Sequence, residues 1–439
     1  MDIKTVLDTC NKNDVRYLRL QFTDILGMNK NVEVPSSQFE RALNGEIYFD
    51  GSSIEGFARI EESDMMLIPD LSTFRILPWS EEGCGKEARV MCDIYSTDKK
   101  PYEGCARGAL KRILHEAEDL GFSMMVGPEI EFFLFQRDKH GEITTDTHDR
   151  GGYFDLTPVD RGETARRRIV EDLEKMGFEI EASHHEVASA QHEIDFKYDE
   201  ALRASDNICT FRFVVRKIAM DYNLHATFMP KPIYGELGSG MHTNQSLFRD
   251  GKNCFVGDTS SWGLSDLALN YIGGLMHHAD AITAITNPLI NSYKRLVPGF
   301  EAPTTIAWAR RNRSPLIRVP DARGQSTRIE LRSPDPSCNP YLANAVILAA
   351  GLDGIKKKID PGAPLKENIY DLDPERKNQY RQLPGSLAAA LDAFEKSDLM
   401  KKTLGEHIFT NYLRAKRSEW SEYVTRVHQW EIDQYLGRY

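Results

Sequence analysis

A chain of 439 residues, 41% hydrophobic and 28% charged, has the composition of a globular protein with room for two or three domains. Its net charge of −11 argues against a nucleic-acid partner held by general electrostatics, although a local basic cluster can still oppose that sign. Seven scattered cysteines with no CxxC spacing argue against a disulfide framework or zinc ribbon and suit a reducing cytoplasm. The start MDIKTVLDTC lacks the apolar region of a secretory signal, and no apolar run approaches the roughly 20 residues of a membrane span.

In chain order, Val15 to Phe22 and Asn29 to Val34 read as two strands of a hairpin turning at Asp24 to Gly27. Asp50 follows on a Gly/Ser turn, where an Asx-turn role is the plain expectation. Residues 54–98 read as short strands and loops, so 15–98 forms a small β-rich unit with a boundary at Pro101 to Cys105. Helices are predicted over about 107–120 and 163–176, stopped by Gly121 and Gly177. A third carries Ile208, Phe211, Val215 and Ile218. Strands are expected at 127–135 and 225–229, with a loop over 137–152. Beyond about 340 the chain is mostly helical, with a core helix at Ala343 to Ala350 and a helical segment from Leu387 to Trp420. Mixed strands and helices indicate an α/β or α+β catalytic domain.

Four stretches carry chemistry. In GPEIEFFLF (127–135), strand alternation puts Glu129 and Glu131 on one face. Two carboxylates in an apolar strand repel each other and resist desolvation, so a divalent cation or a buried Arg or Lys must compensate. In SHHEVASAQHEIDF (183–196), a hairpin turning at Ser189-Ala190 would place Glu186 directly opposite Glu193, although Ser-Ala is a poor two-residue turn. In GELGSGMH (235–242), glycines permit close backbone approach, and His242 becomes a candidate ligand beside the carboxylates. In TRIELR (327–332), Arg328, Glu330 and Arg332 share a strand face. Eight arginines lie between Arg295 and Arg332, which reads as an anion pocket or as a surface ion-pair network. No GxxxxGK[ST] loop occurs. Metal-binding carboxylates beside arginines suit phosphoryl transfer.

These motifs, with RLQFTDILG (19–27), FDGSSIEGF (49–57), FMPKP (228–232), NSYKRLVPGFEAP (291–303), NRSPLIR (312–318), TRIELRSPDPSCNPYL (327–342) and LGEHIF (404–409), resemble a bacterial or archaeal type I glutamine synthetase of the shorter alpha subdivision along nearly the whole chain. The resemblance implies an α+β fold: a β-grasp domain over 14–98, then a catalytic domain over 105–439 with a large curved, antiparallel-rich sheet, a partial barrel, and helices. It implies ligation of ammonia to the γ-carboxylate of glutamate through an acyl phosphate, using ATP and two or more Mg²⁺ ions, for which Mn²⁺ can substitute. A glutamate–organic amine ligase of the same superfamily is the alternative.

By the same resemblance, Glu131, Glu186 and Glu193 hold one metal, and Glu129, His242 and Glu330 the other. Glu181, Asn244, Gln245, Ser246, Arg313 and Arg318 lie where the family holds ATP. Leu237, Gly238, Arg295, Glu301, Arg313 and Arg332 lie where it holds glutamate. Asp50 matches the residue that holds ammonium and takes its proton, and Glu301 and Arg313 also match catalytic positions. Arg59 matches the sensor of feedback by glutamine. The resemblance further implies a cytoplasmic dodecamer of two six-membered rings with sites between subunits. Nitrogen-regulatory partners (a transcription factor or a PII-type protein) are possible in this family, with no direct nucleic acid and no membrane. Leu237 stands where the family has Asn, Ser189-Ala190 where it has Pro-Gly, and Cys105-Ala106 where it has Asp-Pro. Tyr370 aligns with the tyrosine adenylylated in the other subdivision, but the insertion that marks that subdivision is absent.

Overall fold

The computed structural model describes residues 1–54, 56, 64–79, 85–257, 262–312, 314–367, 375 and 379–439. Helix α1 (Ile3–Lys12) is capped by the Asp2 side chain, which accepts from Thr5 N at 2.8 Å. Then come β1 (Val15–Thr23), β2 (Asn29–Pro35), α2 (Phe39–Leu43), β3 (Ile47–Asp50), β4 (Asp64–Ile76) and β5 (Lys86–Ser96). They form a sheet in the order β2-β1-β5-β4-β3, with β1 and β5 parallel at its centre. This is the expected β-grasp layout. The predicted β1–β2 hairpin is present, and Asp24 Oδ1 closes its turn by accepting from Leu26 N and Met28 N at 3.0 and 2.9 Å. The short strands expected within 54–98 are instead two long ones, joined by a register shift between Asp70 and Arg75.

The second unit runs α3 (Ala106–Asp119), β6 (Ser123–Arg137), β7 (Ile143–Thr147), α4 (Glu163–Lys175), β8 (Ile180–His185), β9 (Gln191–Phe196), β10 (Asp199–Glu200), α5 (Ala201–Asp221), β11 (Leu224–Thr227), β12 (Met241–Arg249) and β13 (Lys252–Asn253). It continues with α6 (Asp266–Thr286), α7 (Ser292–Arg295), β14 (Trp308–Arg310), β15 (Ile317–Val319), β16 (Ile329–Leu331), α8 (Pro340–Lys357), α9 (Leu387–Glu395) and α10 (Asp398–Thr425). The main path of its curved sheet is β14-β15-β16-β12-β6-β9-β8, and β14·β15 is its parallel pair. The fold is α+β. The polar stretch expected as a loop over 137–152 contains β7, which pairs with β6 despite its exposure.

Strand β6 positions the site. Ile130, Phe132 and Leu134 are fully buried on one face against α4, α5 and β9 residues. Alternation therefore sends Glu129 and Glu131 to the other face. Two polar ties lock the sheets together. Arg107 at the start of α3 donates to Asp70 and Asp93 of the first sheet and to Asp206 of α5, at 2.7 to 2.9 Å. Asn339 caps α8 by accepting from Tyr341 N and Leu342 N, and its Nδ2 donates to Asp24 O at 2.9 Å. Gly27 is required there: its φ is +88°, and a Cβ would lie 3.0 Å from Asn339 Cα. Among the described residues, no helix is long and apolar enough to cross a membrane.

Candidate active site

The ladder places the charged side chains in three rows across one face. Arg318 faces Glu330, and Glu330 faces Asn244. His242 faces Glu129, and Glu129 faces Asp195. Glu131 faces Glu193, and Glu193 faces His184. The predicted pairing of Glu186 with Glu193 is incorrect. Glu186 lies just beyond β8, and its N–H donates to Gln191 O at 2.8 Å, closing a four-residue loop over 187–190. A two-residue Ser-Ala turn would need positive φ at one or both positions; the longer loop needs it only at Ala190, at +60°. Glu186 still belongs to the carboxylate group, because repulsion from Glu131 helps shift its titration.

Electrostatics divide the cluster. Burial works to raise Glu129, but hydrogen bonds with His242 (3.3 Å) and Asn244 Nδ2 (2.8 Å) bring it down to about 2. Burial and the Arg332 charge keep His242 below its ordinary value, which favours the neutral, metal-ligating imidazole. Glu330 is gripped by Arg318 Nη1 at 2.5 Å and by Arg332 Nε at 3.1 Å. On the other side no Arg or Lys ion pair reaches the carboxylates among the described residues, although Arg295 and Arg332 act on Glu131 from a distance. Burial raises Glu131 to about 7, even with its Oε2 accepting from Gln191 Nε2 and Gly240 N at 2.9 Å. Burial, then repulsion from Glu131, raises Glu186 to about 8. Burial and four neighbouring carboxylates push Glu193 well up, and Asp195 is raised to about 7. Asp195 Oδ1 is buried with no hydrogen-bond partner. A crowded, desolvated carboxylate set with an orphaned oxygen fits hard divalent cations. Ligand atoms of Glu129, His242 and Glu330 lie within 4.8 Å of one another, as do those of His184, Glu193 and Asp195.

The glycine run has a specific steric purpose. A Cβ on Gly240 would lie 2.6 Å from Arg295 Nη2 and 3.0 Å from His242 Nε2, and one on Gly238 would lie 2.3 Å from Pro230 O. Arg295 is buried beneath this run, donating to the carbonyls of Ser333, Pro334 and Arg332. Leu237 packs with Phe133, Phe135 and Ala188, so the residue replacing the family's Asn joins a small apolar cluster. Glu301 has φ +54°, and its charge reaches Glu186. Next to the carboxylates, a cavity of about 350 Å³ gathers Glu181, Asn244, Gln245 and Ser246, together with Tyr198 and Arg328. Asp50 is exposed and accepts from Ser52 N at 2.8 Å, the expected Asx turn. No hydrogen bond or ion pair among the described residues joins it to the carboxylates. The arginine-rich segment splits: Arg295, Arg318 and Arg332 enter the site, whereas Arg310 and Arg311 pair with Asp321 nearer the surface. Arg59, Arg313 and Tyr370 lie outside the described residues. Sequence reasoning missed His184, Gln191 and Asp195, although His184 and Asp195 sit two positions from Glu186 and Glu193, on the strand period that exposed Glu129 and Glu131.

Residues 14–97 match the family described as glutamine synthetase, beta-grasp domain, and residues 103–435 match glutamine synthetase, catalytic domain. The chain belongs to the glutamine synthetase family. It is 57% identical over 439 residues to a glutamine synthetase of Thermus thermophilus, covering 99% of this chain and 98% of that protein. It is 56% identical over 431 residues to one of Staphylococcus aureus, covering 98% and 96%. A solved structure described as a GmaS/ADP complex aligns with a TM-score of 0.90 at 32% identity, covering 98% of this chain and 99% of that one. A Plasmodium falciparum glutamine synthetase determined by cryo-EM aligns with a TM-score of 0.89 at 27% identity, covering 99% of each chain. This member of the glutamine synthetase family is an enzyme of glutamine synthesis, and the organic-amine alternative is not favoured.

Proposed function

We propose that the enzyme joins ammonia to the γ-carboxylate of L-glutamate in two steps, with ATP first converting that carboxylate to γ-glutamyl phosphate. The observation that carries this reading is the single sheet face where raised carboxylates meet buried arginines. Glu131, Glu186 and Glu193 would hold one Mg²⁺, and Glu129, His242 and Glu330 a second; Mn²⁺ has the same ligand preferences. When bound, the metals neutralise phosphate oxygens during transfer. Glu181, Asn244, Gln245 and Ser246 line the cavity assigned to ATP, with Arg318, which grips Glu330, and Arg313 assigned from the family pattern. Gly238, Arg295 and Arg332 hold glutamate near Leu237.

Ammonium has no free electron pair, so Asp50 holds it and accepts a proton. The nitrogen then attacks the acyl carbon, the C–O bond to phosphate breaks, the departing phosphate takes up the further proton that the nitrogen sheds, and L-glutamine and phosphate leave with ADP. Glu301, held at positive φ, closes the site against water that would hydrolyse the acyl phosphate.

Asp50 reaches this chemistry from a neighbouring subunit of a cytoplasmic dodecamer. Two exposed apolar surfaces support such assembly. Phe154, Leu156 and Val159 are exposed ahead of α4, with Phe154 edge-on to His184. Trp430, Leu436 and Tyr439 project at the C-terminal end. Feedback by glutamine through Arg59, and binding of nitrogen-regulatory proteins, rest on the family pattern.

The test is ADP release with glutamate and either ammonium or a panel of primary amines. Ammonium should give the highest kcat/KM; a higher value for any amine would overturn the assignment.

A further inference from the structure

A second polar cavity, of about 230 Å³, lies between the two sheets, bounded by β4 and β5 on one side and by the end of α4 and the start of α5 on the other. Arg75 and Arg89 line it. Arg89 is 4% exposed. It donates to Thr73 O at 2.9 Å and to Thr210 Oγ1 at 3.0 Å, while its buried Nε has no hydrogen-bond partner among the described residues. Among the described residues Arg75 donates only to the carbonyls of Met176, Phe74 and Ser72. Neither guanidinium has a carboxylate partner among the described residues.

The acids around the cavity are mostly paired with Arg107 and Arg203, which also line it. Asp70 and Asp206 are held by Arg107 at 2.7 and 2.9 Å, and Asp199 by Arg203 at 3.4 Å. Glu200 is exposed at the rim. Burial lowers Arg89 to about 10 against the attraction of Asp206, and Arg75 adds a smaller repulsion. Two guanidiniums that repel each other in a partly desolvated cleft favour an anion between them, and Arg is suited to forked contacts with phosphate oxygens. The volume is below the roughly 300–1,000 Å³ of pockets for larger ligands, which selects a small one.

We propose that this cavity binds a small phosphate-type oxyanion between Arg75 and Arg89, clasping the N-terminal sheet to the α4–α5 side of the catalytic sheet. The two sources of this chemistry are free phosphate and the phosphate group of a small monoester. The site is separate from the catalytic arginines and does not depend on the reaction proposed above.

The test is equilibrium dialysis of the full chain with inorganic phosphate, and separately with glycerol phosphate, at constant ionic strength in chloride without added metal. It compares the wild type with Arg75→Gln and with Arg332→Gln, which removes a catalytic-site arginine. Arg75→Gln is the primary variant because Arg89 is buried; Arg89→Met, if it folds, should match it. Loss of one forked contact should weaken seam binding about tenfold in Arg75→Gln. Arg332→Gln should retain that binding, and Arg75→Gln should retain glutamine formation in phosphate-free buffer. Tighter binding of phosphate identifies the free ion, and equal or tighter binding of glycerol phosphate identifies a monoester; both support the site. Wild-type binding of both probes by Arg75→Gln, or loss of all binding in Arg332→Gln, would overturn it.

Discussion

The face of β6, β9 and β12 and the seam lined by Arg75 and Arg89 pose the same physical problem with opposite sign. On the face, Glu131, Glu186, Glu193 and Asp195 are crowded and desolvated, and each is shifted toward its neutral form. In the seam, buried Arg89 and half-buried Arg75 donate to neutral acceptors alone among the described residues. Arg107, close to that seam, shows the satisfied state: it is 4% exposed and bonded to three aspartates. Burial alone therefore does not mark a ligand site. The informative feature is buried charge of one sign left without its counter-charge.

The largest expected effect is at the face. Glu330→Ala should lower kcat by about 10³-fold or more, by removing a proposed metal ligand and freeing Arg318 and Arg332. Steady-state assays at saturating Mg²⁺ check this, with circular dichroism confirming the fold; near-wild-type turnover would remove Glu330 from the metal set. Next is Arg107→Met, which leaves three aspartates without their buried cation and should cost about 3–5 kcal/mol in denaturant unfolding. Arg89→Met, which strands no carboxylate, should cost clearly less. Equal losses would erase the distinction between the two arginines.

A smaller effect is the pH dependence of stability without metal. Glu131, Glu186 and Asp195 are raised to between about 7 and about 8 in the fold, so the native chain retains protons that the unfolded chain has released. Stability from these groups is thus fully present below the unfolded carboxylate range and is lost as pH rises through about 7 to 8. The thermal midpoint of the metal-free protein should fall over this window, and saturating Mg²⁺ should flatten the fall. A midpoint that rises from pH 5 to pH 8 without metal would show that the cluster is already compensated.

The smallest is Glu193→Gln. A neutral amide of the same shape should relieve repulsion and raise the metal-free midpoint at pH 8, while weakening Mg²⁺ activation. A lower midpoint would reverse the sign of the cluster's energy.

How much of this was legible follows from geometry. Strand period alone placed Glu129 and Glu131 together, because alternation does not depend on tertiary context. The Glu186 and Glu193 register was not legible, because loop length and the positive φ of Ala190 decide it. The glycines of GSGMH were read as room for a ligand, whereas they make room first for Arg295 and His242. Helix α6 gave no clear amphipathic signal because buried residues dominate its C-terminal half. Strand β7 was hidden by its polar, exposed sequence. The seam arginines were not legible for another reason: Arg75 and Arg89 face each other only through the β4–β5 register, and the catalytic-domain wall of the seam is added by packing across the two sheets.

The central claim is that the raised carboxylates of the face bind divalent cations, and proton release tests it most directly. At pH 7, Mg²⁺ must displace protons from groups raised to about 7 and about 8. Calorimetric titration of the metal-free protein in buffers of different ionisation enthalpy should show about one to two protons released per chain on binding, and the value should fall as pH is raised to 9. Tight Mg²⁺ binding with no proton release at pH 7 would contradict this account of the site.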